Sequence, residues 1–146
     1  MANSVHLDKQ GPVWPLGLII VPTPGTPVRI TNLVDSAATN APEAVTSATS
    51  DEYTSRAYAI IFQGFKTGAA PPKLAANTGV VYVVKKALAG AGGVSDVGTI
   101  IAAIRTGDPP FVLTSAPMNR NTFNLYEFYI DVDTANDGCL VTAIIQ

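Results

Sequence analysis

Three aspartates fall within seven residues near the C-terminus, in DVDTANDGCLVT, Asp131 to Thr142, and a glycine follows them. Clustered carboxylates before a glycine are the raw material of a calcium loop. The helix–loop–helix calcium motif needs oxygen ligands at positions 1, 3 and 5, glycine at 6 and glutamate at 12. Counting from Asp131, position 5 is Ala135, position 6 is Asn136 and position 12 is Thr142, so the pattern fails at all three. Asn136, Asp137 and Gly138 are instead residues that tolerate positive φ and bond locally to their own backbone. The segment predicts a hairpin turn between two strands, with Asp131 and Asp133 outward on one face. A weak calcium site at Asp131, Asp133 and Asp137 is the competing reading.

The other candidates for chemistry are sparse. His6 is the only histidine, and neither a cysteine nor a second histidine lies near it. Hydrolase triads built on Ser or Thr use a histidine within the fold, and a metal cupin needs several histidines and a carboxylate. The glycines of AGAGGVSDVG follow a dinucleotide fingerprint only loosely, because no helix pattern succeeds Gly90, Gly92 and Gly93. The single cysteine, Cys139, lies in the apolar run GCLVTAII and reads as a small buried hydrophobe. The expectation is a protein that is not an enzyme and carries no cofactor or metal.

What remains are residues suited to contact. Trp14 stands between prolines in GPVWPLG, where Val13, Trp14 and Pro15 either anchor in a partner's pocket or cap the chain's own sheet edge. Leu125 and Tyr129 are expected to face away from the core side of their strand, covering a neighbouring subunit or lying under long loops. Asp51, Tyr53 and Arg56 in DEYTSR offer the aromatic and polar mixture of a sugar site, or simply a polar loop.

The elements that must position these residues are short. Eleven prolines and twelve glycines divide the chain into brief apolar segments without a 3.6-residue stripe, which reads as all-β. Residues 1–15 read as an extended N-terminal arm, since Pro12 and Pro15 obstruct a central strand. Strands are expected at 16–21, 27–32, 57–65, 80–85, 99–105, 111–114, 125–132 and 139–145. In the third, Tyr58, Ile60 and Phe62 share a face. In the seventh, Tyr126, Phe128, Ile130 and Val132 share one face and Leu125, Glu127, Tyr129 and Asp131 the other, the period of a half-buried strand. Polar or Gly/Pro/Ala-rich loops separate them at 35–56, 66–77, 87–98 and 115–122, with one helical turn expected near 42–45. About eight strands over residues 16–146 predict a single-domain β-sandwich or jelly roll.

Composition narrows the function classes. The chain has 146 residues, 47% hydrophobic and only 14% charged, with a net charge of −2; about 25% charged is usual. So few charges argue against intrinsic disorder and suggest that part of the outer surface does not face water, as in an assembly subunit. No basic stripe suggests nucleic acid. The run LGLIIV is too short to cross a bilayer, and MANSVHLDKQ lacks a secretory pattern, so synthesis in a cytoplasm is expected.

The order of phrases carries a resemblance. PGTPVRIT, then AIIFQGF, NTGVVYVVKK, DPPFVLTSAP and NLYEFYIDVDTANDGCLVTAII together resemble small virion proteins of tailed bacteriophages. TPVRIT, the NTG turn before VVYV, and Tyr129, Asp131 and Asp133 ahead of the NDG turn are the most telling. The resemblance spans residues 16–146 and departs in the polar loop at 35–56 and in insertions at 66–76 and 87–98. It implies a β-sandwich or jelly-roll decoration (cement) protein on the capsid exterior, gripping major capsid protein subunits as a dimer or trimer. Other virion modules of that fold, such as a head fibre base, a tail component or a host-glycan-binding module, are the alternative.

Overall fold

The computed structural model describes residues 13–30, 56–70, 73–85, 98–114 and 123–145. The chain is an all-β sandwich of two antiparallel sheets. Its strands are β1 (Val13–Ile20), β2 (Val28–Arg29), β3 (Arg56–Thr67), β4 (Leu74–Ala76), β5 (Val81–Lys85), β6 (Thr99–Ile104), β7 (Phe111–Thr114), β8 (Phe123–Asn124), β9 (Phe128–Val132) and β10 (Gly138–Ile145). The large sheet runs β1-β10-β3, and β8, β7 and β4 lie end to end along the far edge of β3. The small sheet runs β2-β9-β5-β6.

The pairing is nested. β1 pairs with β10, β2 with β9, β3 with β7, and β5 with β6, as in a long antiparallel ribbon rolled onto itself. The expected strands correspond to these eight; β4 is a short addition within the loop expected at 66–77, and β8 lies between the loop expected at 115–122 and the strand expected from 125.

The core lies between the sheets. Large-sheet side chains Leu16, Ile19, Ile60, Phe62, Cys139 and Val141 meet Val81, Val83, Ile104, Phe128, Ile130 and Val132 of the small sheet. Phe62 packs on Phe111 at 6.0 Å between centroids, and Phe123 meets Phe128 edge-on at 6.1 Å, geometries that aromatic quadrupoles favour.

Several expectations are corrected. The ladder begins at Val13, so Val13–Pro15 belong to β1 rather than to a free arm; Pro15, which has no N–H, is tolerated because β1 is an edge strand. A bulge between Pro15 and Gly17, with Gly17 at φ 93°, turns Leu16 into the core. A second bulge on β3 skips Tyr58, which places Ala57 rather than Tyr58 in the core beside Ile60 and Phe62. Residues 125–132 are not one strand: a 3₁₀ turn occupies Leu125–Glu127 and the alternation starts at Phe128. The turn after β9 is not a hairpin, because β9 and β10 belong to different sheets. The helical turn expected near 42–45, most of the arm, and the loops at 35–55, 87–97 and 115–122 lie outside the described residues.

Candidate functional site

The three aspartates of the opening motif do different work. The Asp131 carboxylate accepts the N–H of Gly25 at 2.9 Å, holding the PTPGT turn. Asp133 accepts the N–H of Val80 at 2.7 Å, and its own N–H donates to the carbonyl of Val80 at 3.1 Å. Asp137 is wholly buried and accepts from the N–H groups of Thr78 (2.9 Å) and Gly79 (2.6 Å), with the Lys66 ammonium 3.3 Å away. Burial alone opposes its charge, but the amides of Thr78 and Gly79 and the Lys66 ammonium outweigh it, so the carboxyl titrates below its ordinary value.

The turn itself uses the residue types that the sequence suggested. Asn136 sits at φ 66°, a conformation that asparagine tolerates. Gly138 runs so close to the carbonyls of Ile19 and Phe65 that a Cβ there collides with backbone. From the facing segment, Asn77 places its side-chain amide against the Gly138 backbone. NTG and NDG are therefore two halves of one latch, each using a side chain to satisfy the other's backbone. Asp131 is turned to the PTPGT turn, whereas Asp133 and Asp137 take successive amides of the Thr78–Val80 stretch, and among the described residues no three His, Cys, Asp or Glu side chains gather around one point.

Cys139 is buried on β10, and burial pushes its thiol up to about 12, which leaves almost no nucleophilic thiolate. A cleft of about 300 Å³ between the end of β3 and the 106–110 turn is lined by Gln63, Phe65, Ala76, Thr106, Asp108 and Pro110. Its one carboxylate, Asp108, accepts the N–H of Arg105 at 2.8 Å. His6, Asp51, Tyr53 and the 90–93 glycines lie outside the described residues, and Arg56 begins β3.

The surface that stands out is the outer face of the large sheet. Cross-strand register places Val13, Ile144, Ala59 and Thr114 in one row, and Pro15, Thr142, Ile61 and Val112 in the next. Leu18, Leu140 and Gln63 form the third row. None of these side chains is charged. Val13 is 65% exposed and Val112 49%. The small sheet's outer face is different. There Tyr82 faces Asp131, and Arg29 faces Tyr129, donating to its hydroxyl at 2.7 and 3.1 Å with the guanidinium 5.3 Å from the ring centre. The small sheet's outer face thus carries charged side chains beside the exposed Ile100, whereas the three rows of the large sheet hold apolar residues with Thr114, Thr142 and Gln63 and no charge.

The five contact residues expected from sequence separate accordingly. Val13 and Pro15 lie on the uncharged face, and Trp14 lies between them on β1. Tyr129 is on the opposite side of the molecule. Leu125 is corrected: it is 3% exposed and part of the core, because the 3₁₀ turn breaks the two-residue period that put it outward. Sequence reasoning missed Ile61, Val112, Leu140 and Thr142. The available signal was that β3 and β10 are apolar at both parities, as strands covered on two faces are. No family model, curated protein or solved structure matches the chain.

Proposed function

We propose that this chain is a non-enzymatic structural virion protein, of the decoration or cement type, that binds the outside of a phage capsid and bridges major capsid protein subunits. The observation that carries the reading is the outer face of the large sheet, free of charge over its three rows, the kind of surface that the subunits of an assembly bury against one another. Two further features support it. The nested pairing of β1 with β10, β2 with β9, β3 with β7 and β5 with β6 is read as a jelly roll, an architecture that viral capsid domains use, as do lectins. The NTG and NDG phrases that carry the resemblance also bind each other, so they are parts of one device.

A cement protein acts by mass action. Binding the assembled shell and not free subunits stabilises the assembled state, and repetition around the shell adds avidity. The test is co-sedimentation with assembled heads and, separately, with free major capsid protein. Binding to heads with a raised head melting temperature supports the reading. Loss of binding to heads, with capture by a glycan array instead, moves the protein to the host-binding class.

A further inference from the structure

We infer that the outer face of the large sheet is a self-association surface, on which a second copy of this chain packs face to face about a two-fold axis. The inference rests on reading that face as a docking surface, and it selects a dimer over a trimer. The first argument is charge. A partner with an ordinary surface, about one quarter charged, brings charges that this face cannot pair, and burying them without partners is costly. A second copy brings an equally uncharged face. In a two-fold contact the same patch meets itself, so a face free of charge has no like-charge repulsion to overcome.

The second argument is geometry. Sheets stack face to face about 10 Å apart with interdigitating side chains, and the large sheet already packs this way, on its inner side, against the small one. Small and mid-sized residues, Thr142, Ile61 and Leu140, occupy the middle of the outer face. The third argument is area. Four strands spaced about 4.8 Å apart, over roughly seven residues at about 3.4 Å each, present a face on the order of 450 Å². Two such faces bury on the order of 900 Å², below the ~1,200 Å² where stable interfaces begin. The dimer is therefore a weak one, exchanging with monomer on dilution.

The experiment is sedimentation equilibrium or light scattering of the full chain over a wide concentration range. The expected mass rises from the chain mass of 15.2 kDa toward twice that value. Val112→Lys and Val13→Lys, both at exposed positions, each weaken the dimer by about 100-fold or more by bringing a charge without a partner into the contact, with unchanged circular dichroism. Ala103→Lys, exposed on β6 of the small sheet, leaves the mass curve unchanged. A protein that stays monomeric at every concentration overturns the inference, and so does a dimer split by Ala103→Lys and untouched by the other two. Head co-sedimentation separates the two claims. A monomer that binds heads overturns self-association alone, whereas a dimer that ignores them overturns the cement reading alone.

Discussion

The side-chain amide of Asn77 forms a closed pair of hydrogen bonds with the backbone of Gly138, 61 residues away. Its Nδ2 donates to the Gly138 carbonyl at 2.8 Å, and its Oδ1 accepts the Gly138 N–H at 3.1 Å. Both bonds are buried. The side chain imitates the backbone of one more strand residue and ties the β4–β5 connection to the start of β10.

Asn77→Ala removes both partners at once and leaves a donor and an acceptor of Gly138 without satisfaction. Each such group costs about 1–3 kcal/mol, so destabilisation of about 2–6 kcal/mol is expected in chemical denaturation. Asn77→Asp keeps the acceptor and places a carboxylate against the Gly138 carbonyl, and should do no better. A midpoint within experimental error of wild type for Asn77→Ala would show that the latch bears no weight.

Asp137 makes stability depend on pH in a definite sense. Its folded-state pKa lies below the ordinary carboxylate value. The stabilisation is therefore fully present above the unfolded pKa of about 3.9 and is lost as pH falls through the lower, folded value. Asp137→Asn puts a neutral group against the Lys66 ammonium and is less stable at pH 7. The gap between variant and wild type should narrow as pH drops below about 4. Thermal melts from pH 7 to pH 2 on both proteins measure it; a gap that is constant across the range removes Asp137 from the acid response.

Gly79 has room for hydrogen only. A Cβ at this position collides with the Asp133 carboxylate and the Thr134 hydroxyl, and Asp133 is held in place by Val80. Gly79→Ala should destabilise by about 1–3 kcal/mol, the usual cost of overpacking. In the double variant with Asp133→Ala the clashing carboxylate is gone, so the two effects should sum to less than additivity requires. Strict additivity would place the strain elsewhere.

The period-two signal was legible where a strand is half-buried and regular. Phe128, Ile130 and Val132 point inward as the alternation requires. It failed at Leu125 because a 3₁₀ turn leaves no periodic trace in eight residues. It also failed at Tyr58, because a bulge inserts one residue into an otherwise regular pattern. The latch was hidden for a different reason. Asn77, Asp137 and Gly138 are turn formers, so local chemistry accounted for them fully and gave no hint that they face one another. The uncharged face was foreshadowed by the shortage of charge in the whole chain. Assigning that shortage to one sheet required register, which joins Val13, Thr142, Ile61 and Val112 from four separate strands.

Cys139 reports on how the large sheet opens. It lies on β10, paired with Ile19 of the edge strand β1 on one side and Gly64 of β3 on the other. With its thiol pushed up to about 12, only roughly one in ten thousand molecules holds a thiolate at pH 8, against about a quarter for an ordinary thiol. A thiol reagent should therefore modify the native protein only through opening. If β1 and β10 open together with the rest of the sandwich, the labelling rate rises with denaturant as steeply as global unfolding does. Shallow dependence means that β1, with Pro15 and the bulge at Leu16 weakening its ladder, peels from β10 on its own. That outcome matters for the dimer too, because Val13, Pro15 and Leu18 form one side of the proposed contact. Self-association buries that side, so labelling should slow as protein concentration rises through the monomer–dimer range.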